Sequence, residues 1–159
     1  MSERRAGLLE AFVRSAASPD GKWWVDVPVG LSVGDREAYA TLDAVCLTSR
    51  EPELPESYPD HTGTPYVVHG DEDRLGTGRI DAFRTLRETE LFEEETAVLV
   101  AVEPDASSVG TVGDLLAYQE LLEADWPWSV EERVLVSDED SDHVNHVCQE
   151  LSVRAVRVA

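Results

Sequence analysis

The sequence predicts an α/β fold: a single mixed sheet flanked by helices, in the order α-β-β-(insertion)-β-α-β-α-β. Three observations favour this class. Residues 97–102 form a continuous apolar run, which is typical of a central strand buried on both faces. Helical and strand-like segments alternate after that run, which favours parallel strands joined by crossover helices. Two strand-like segments before it favour an antiparallel pair. Together, the three observations predict one mixed sheet with helices on both faces.

The first half of the chain begins with a helix and continues with two strands. Residues 4–17 have an apolar face of helical period, and 18–21 (Ser-Pro-Asp-Gly) end it. Residues 23–29 and 38–48 are rich in strand-forming residues and are separated by a turn over 30–36. The adjacent Trp23 and Trp24 should face opposite sides of the sheet. In the second strand we expect alternate side chains to face opposite sides of the sheet. One side would have Leu42, Ala44 and Cys46, and the other Asp43, Val45 and Leu47.

Residues 49–95 are predicted to form an irregular insertion within a single domain that spans residues 1–159. Proline and glycine are frequent over 49–79, and so long a loop is usually functional or inserted. A short extended piece is expected at 66–69 and a helix over 80–95. After the central strand, the pattern predicts helices over 111–124 and 139–150 and strands over 133–137 and 153–158.

Acidity dominates the composition. The chain has 33 Asp and Glu residues against 13 Lys and Arg, a net charge of −20, and Lys22 is its single lysine. The acids are spread along the whole chain, a pattern that resembles the proteins of salt-in halophilic archaea. In molar salt the Debye length is roughly 3 Å, so such a surface tolerates its self-repulsion. The charge therefore argues neither for nor against an anionic partner.

Other compositional features narrow the location and chemistry. No apolar stretch is long enough to span a membrane, and the N-terminal residues do not resemble a secretory signal, so a cytoplasmic protein is expected. Cys46 and Cys148 lie far apart and form neither a disulfide framework nor a zinc motif.

Several polar residues are placed in a pattern that forms catalytic sites in other proteins. Asp43 lies on the second predicted strand and Glu103 ends the third, with Asp105 two residues further on. Asp114 and Tyr118 are four residues apart on the helix that follows. This element order, with acids at these places, resembles the PD-(D/E)xK nuclease superfamily and its RecB-like members. The fold expected from the resemblance is restriction-endonuclease-like.

The resemblance implies roles for these positions. The family's two acids, here Asp43 and Glu103, share a divalent metal such as Mg²⁺, and Glu10 is a counterpart of a further acid in some members. The family's lysine is replaced by Asp105, and the glutamine of its Gln-x-x-x-Tyr motif by Asp114. Because a cation beside the scissile phosphate is replaced by an anion, nuclease chemistry is expected to be lost. Arginine cannot act as the missing base, because it stays protonated.

Two functions follow from the resemblance. The first is a non-catalytic binding or scaffold protein, whose partner is nucleic acid, another protein or a second copy in a homodimer. The alternative is a metal-dependent nuclease with an altered acidic site, in which Asp43, Glu103 and Asp105 hold Mg²⁺. Asp81 is a rival for the first acid, if the second strand lies around it instead.

Four further patterns have both a functional and a structural interpretation. The turn 110–113 (Gly-Thr-Val-Gly) opens a helix where a nucleotide could bind, although the full phosphate-binding motif is absent. His143 and His146 have metal-like spacing, but two ligands do not make a site. Cys46 alternates like a core residue. The sequence does not decide whether Trp126 and Trp128 form an exposed contact patch or a plug at the end of the sheet.

Overall fold

The computed structural model describes residues 1–34, 38–50, 66–68, 79–88 and 92–158. Within those residues the helices are α1 (Glu3–Val13), α2 (Arg79–Glu88), α3 (Gly110–Asp125) and α4 (Asp142–Glu150). The strands are β1 (Lys22–Val29), β2 (Ala40–Leu47), β3 (Tyr66–Val68), β4 (Thr96–Val102), β5 (Ser129–Ser137) and β6 (Arg154–Arg157). A short 3₁₀ turn, Pro104–Ala106, follows β4.

The six described strands form one mixed sheet in the order β3-β1-β2-β4-β5-β6. The pairs β1–β2 and β2–β4 are antiparallel, whereas β4–β5 and β5–β6 are parallel. The α/β class and the mixed sheet are therefore confirmed, as are the antiparallel pairing of the first two predicted strands and the parallel pairing that follows β4. The predicted extended piece at 66–69 corresponds to β3, which pairs in parallel with β1.

The two faces of the sheet are covered unequally. α1 packs its buried Leu9, Phe12 and Val13 against one face, and Trp23 of β1 meets Phe12 edge-on with the ring centroids 6.2 Å apart. Side chains from α2, α3 and α4 cover the other face, where Trp24 lies at the centre of an aromatic cluster. The adjacent tryptophans thus face opposite sides, as predicted. Among the described residues, α1 is the one helix that covers its face.

The alternation predicted for β2 is wrong at Leu42. Leu42 packs on the same face as Val45, whereas Ala44 packs on the α1 face. The cause is an interruption of the β1–β2 ladder, whose pairing passes from Val25–Ala44 directly to Val27–Leu42. Asp26, opposite Asp43, has a left-handed φ of 54°, so both strands exchange faces at this point.

The alternative second strand around Asp81 is also wrong. Asp81 lies within helix α2, and the strand is β2. The helix predicted over 80–95 is confirmed for the described helix Arg79–Glu88, whereas residues 92–95 are not helical. Among the described residues, no helix is both long and apolar enough to cross a lipid bilayer.

Trp126 and Trp128 form a plug and not an exposed patch. They are 3% and 5% exposed, and their rings stack with centroids 4.5 Å apart. Both also contact the ring of Trp24. The Trp128 Nε1–H donates to the Phe92 carbonyl at 2.8 Å. Pro127 ends α3 between them, so the two rings close the aromatic core beside the sheet.

Candidate functional site

Asp43 lies where the β1–β2 ladder is interrupted, and its carboxylate is already bound by protein groups. The Val102 N–H donates to Asp43 Oδ2 at 2.8 Å. The pairing of β2 with β4 ends at Ala44–Val100, so this carboxylate takes over as the acceptor for β4. An Arg5 Nη2 of α1 binds the same oxygen at 2.7 Å. Asp43 thus joins α1, β2 and β4.

Burial raises the pKa of Asp43 above its ordinary value. The Val102 N–H and the Arg5 guanidinium favour the charged form and oppose this shift, whereas the nearby Asp26 carboxylate adds to it. The side chain is only 14% exposed, so loss of hydration outweighs its two partners. A carboxylate in this environment depends on a cation close by, and Arg5 supplies one.

A cavity of about 170 Å³ opens beside Asp43. Among its lining residues are Arg5, Asp43, Asp114 and Tyr118. The fold therefore brings together the first predicted acid with the two helix positions of the Gln-x-x-x-Tyr resemblance. Burial, with Asp114 as the next cause, raises the pKa of Tyr118, so its hydroxyl stays protonated and able to donate.

Glu103 is directed toward the start of α3. It accepts hydrogen bonds from Ser107 Oγ at 2.7 Å and from Thr111 Oγ1. Val109, the residue before the helix, provides no side-chain cap, although Ser108 Oγ accepts from the Gly110 N–H at 3.0 Å. An acid at this end also suits the helix dipole. The carboxylate is placed where an anionic ligand of the turn 110–113 would come, which disfavours the nucleotide-binding interpretation of that turn.

Asp105 has turned out of the strand. β4 ends at Val102, and Asp105 lies in the 3₁₀ turn with a left-handed φ of 63°. Its carboxylate binds Arg4 of α1 (Nη1 to Oδ2, 3.0 Å), and its N–H donates to Asp138 Oδ1 at 2.8 Å. Arg4 also binds Asp138 Oδ2 at 2.7 Å and is the first cause of the lowered pKa of Asp138. Position 105 thus faces α1 rather than continuing β4.

Each predicted metal ligand therefore has its own protein partner. Among the described residues, no group of three or more His, Cys, Asp or Glu side chains is placed to hold a metal ion. Glu10 pairs with Arg14 on the same helix, with Oε1 and Nη2 3.0 Å apart. Lys22 pairs with Leu47, four residues along β2 from Asp43, so the single lysine does not reach this cleft.

The remaining sequence candidates have structural roles or positions. His143 and His146 are exposed on α4, while Cys148 of the same helix is buried in the core. Cys46 is completely buried, and burial raises the pKa of its thiol to about 12. A thiol with such a pKa is not a nucleophile at neutral pH. His61 and His69, two histidines of the predicted insertion that could also serve as metal ligands, lie outside the described residues.

The sequence interpretation missed the two arginines that hold the acids. Arg4 and Arg5 open α1, far from β2 and β4 along the chain. Each is one of only 13 basic residues in the chain, and two adjacent bases on a helix that must pack on an acidic sheet end were a usable signal. Their partners could not be read from the sequence, because they depend on how α1 crosses the sheet.

No protein-family model matches the sequence, and no curated protein or solved structure is significantly similar to the chain. The structure defines an α/β protein with a mixed sheet and an acidic cleft between β2, β4 and α3, which Arg5 of α1 also lines.

Proposed function

We propose that this chain is a non-catalytic binding or scaffold protein with a nuclease-like fold of the PD-(D/E)xK type. One observation carries the proposal. Arg5 is bound to Asp43, so a protein cation occupies the place beside the first acid where a nuclease would need its metal. A guanidinium is permanently charged and cannot activate water, whereas a bound metal ion can.

The second acid and the lysine position support the same conclusion. Glu103 is held by two hydroxyl groups at the start of α3, and Asp105 is held by Arg4. Phosphodiester cleavage needs positive charge around the developing transition state. Here Asp114 adds a further carboxylate to the cleft, so a phosphate would meet net negative charge. The cleft is better suited to a partner that brings hydrogen-bond donors or positive charge.

A cleavage assay tests this proposal. The natural protein should leave single-stranded and double-stranded DNA intact with Mg²⁺ or Mn²⁺ in molar KCl. The matched variant is Asp43→Ala, which removes the first acid. Metal-dependent cleavage by the natural protein that disappears in Asp43→Ala would overturn the proposal.

A metal-dependent nuclease with an altered acidic site is the second candidate. The observation that favours it is that Asp43 and Asp114 line the same cavity, so a metal could bring two carboxylates together. This candidate requires Arg5 to leave Asp43. It predicts that Arg5→Gln raises cleavage, whereas the scaffold proposal predicts that the variant is as inactive as the natural protein.

We also propose that the acidity is an adaptation to salt. The net charge of −20 is spread over the chain, and self-repulsion of this size is screened only at high ionic strength. Thermal melts should show clearly lower stability in dilute buffer than in molar KCl. An unchanged melting temperature would remove this part of the proposal.

A further inference from the structure

Helix α1 consists of two parts that are held in different ways. Its second part carries Leu9, Phe12 and Val13, which are buried in the core of the α1 face. Its first turn, residues 3–6, buries no apolar side chain, and Arg4 is exposed. The first turn is therefore attached to the sheet by its arginines, and the second part by apolar packing.

The attachment of the first turn consists of exchangeable ion pairs. Arg4 binds Asp105 and Asp138, and Arg5 binds Asp43. The Arg4 side chain is 53% exposed and that of Asp105 is 47% exposed, so water competes for this pair. The Arg5–Asp43 pair is part-buried, with side chains 34% and 14% exposed. The exposed Arg4–Asp105 pair contributes little to stability, whereas buried apolar side chains contribute much more. The two parts of α1 should therefore differ in local stability.

Gly7 lies at the junction between the two parts. A Cβ atom added at Gly7 would meet no other atom within 4 Å, so packing does not require a glycine there. Glycine is nonetheless the least favourable residue after proline in the interior of a helix. The helix is thus weakest at the point where its polar attachment gives way to apolar packing.

We propose that the first turn of α1 is a hinged strap that holds Arg5 on Asp43 in the cleft, and that it opens at Gly7 while the rest of the helix stays packed. When it opens, Arg5 leaves Asp43 and is withdrawn from the lining of the cavity that also contains Asp114 and Tyr118. A protein partner whose own arginine or lysine side chain replaces Arg5 at Asp43 would bind to the open form and hold it open. The use of the strap rests on the proposed function, but its existence can be tested without any ligand.

Amide hydrogen exchange provides the test. In the natural protein, the amides of residues 6–8 should exchange at least tenfold faster than those of Phe12 and Val13, because the first turn opens without the second part. Equal protection along the whole helix would mean that α1 opens as one unit and would overturn the proposal.

Two pairs of variants make the test specific. Gly7→Ala should slow exchange of residues 6–8 by about fourfold to fivefold, the effect of one Gly→Ala change in a helix interior. Gly113→Ala is the matched control, because an added Cβ in α3 also meets no atom within 4 Å. It should leave exchange of residues 6–8 unchanged, and equal slowing by both variants would overturn the hinge.

Arg4→Gln should speed exchange of residues 6–8 and leave Phe12 and Val13 unchanged. Arg14→Gln is its control, because Arg14 pairs with Glu10 at the other end of the same helix. No change at residues 6–8 in Arg4→Gln would overturn the role of the ion pairs. None of these measurements uses DNA or metal. The strap proposal can therefore fail while the scaffold proposal stands, and the scaffold proposal can fail while the strap proposal stands.

Discussion

Asp125 and Asp43 are both largely buried carboxylates that join distant parts of the chain, but their partners are of different kinds. Asp125, at the end of α3, accepts hydrogen bonds from the backbone N–H groups of Gly30, Leu31 and Ser32. The Ser32 hydroxyl adds a fourth hydrogen bond, at 2.8 Å. Asp43 accepts one backbone N–H, from Val102, and otherwise depends on the Arg5 side chain.

The difference separates a fixed structural carboxylate from one that can change partners. Backbone N–H groups cannot leave Asp125 unless the β1–β2 turn unfolds. Arg5 can leave Asp43 by rotation of its side chain or by movement of the first turn of α1. A carboxylate that is bound mainly by backbone is part of the fold, whereas one that is bound by a half-buried arginine side chain remains available to a partner.

The largest expected effect is the loss of Asp125. Asp125→Ala leaves three N–H groups without their acceptor; those of Gly30 and Leu31 are buried, and each buried unsatisfied group costs about 1–3 kcal/mol. The free energy of unfolding should fall by at least about 2 kcal/mol in urea denaturation. Asp114→Ala, an exposed acid of the same helix, should change it by less than about 0.5 kcal/mol. Similar losses in both variants would contradict the comparison.

The two stacked tryptophans should also differ in how much their replacement destabilises the protein. Trp128 donates to the Phe92 carbonyl, whereas the buried Nε1 of Trp126 has no hydrogen-bond partner in the described structure. Replacement by Phe removes a similar volume at each position. Trp128→Phe should therefore destabilise the protein by about 1–2 kcal/mol more than Trp126→Phe. Equal losses would show that the hydrogen bond contributes nothing beyond packing.

A smaller effect should appear at Asp43 as a dependence on pH. Its pKa is raised in the folded state, because burial disfavours the charged form. The folded protein then holds this proton more tightly than the unfolded chain, so this contribution to stability is lost as pH rises from about 4 through the raised pKa. Asp43→Asn does not titrate, and its stability relative to the natural protein should increase between about pH 4 and pH 7. Urea titrations across that range measure the difference, and a parallel pH dependence of both proteins would contradict it.

The sequence predicted the elements more successfully than it predicted the site. The apolar run of β4 and the helical period of α3 depend on local patterns, and both elements were placed to within a residue or two. The face exchange at Asp26 and Asp43 was missed, because a left-handed aspartate inside a strand leaves no periodic signal. Residues 51–65, 69–78 and 89–91 of the predicted insertion lie outside the described residues.

The protein groups that bind the acids could not be predicted from any local sequence pattern. Asp43 and Val102 are 59 residues apart, and Arg4 and Asp138 are 134 apart. Their contacts depend on the register of β2 with β4 and on the angle at which α1 crosses the sheet. The grouping of Asp43 with Asp114 and Tyr118 was anticipated only through the nuclease resemblance. That resemblance did not anticipate that Arg5 would bind the first acid.

The most direct test of the central claim is whether Asp43 is a metal ligand or a partner of Arg5. Mn²⁺ binding should be measured by calorimetry in molar KCl for the natural protein, for Asp43→Asn and for Asp142→Asn, an exposed acid on α4. The account predicts the same weak, non-saturating binding for all three proteins. A saturable site with one ion per chain that Asp43→Asn abolishes and Asp142→Asn retains would contradict it.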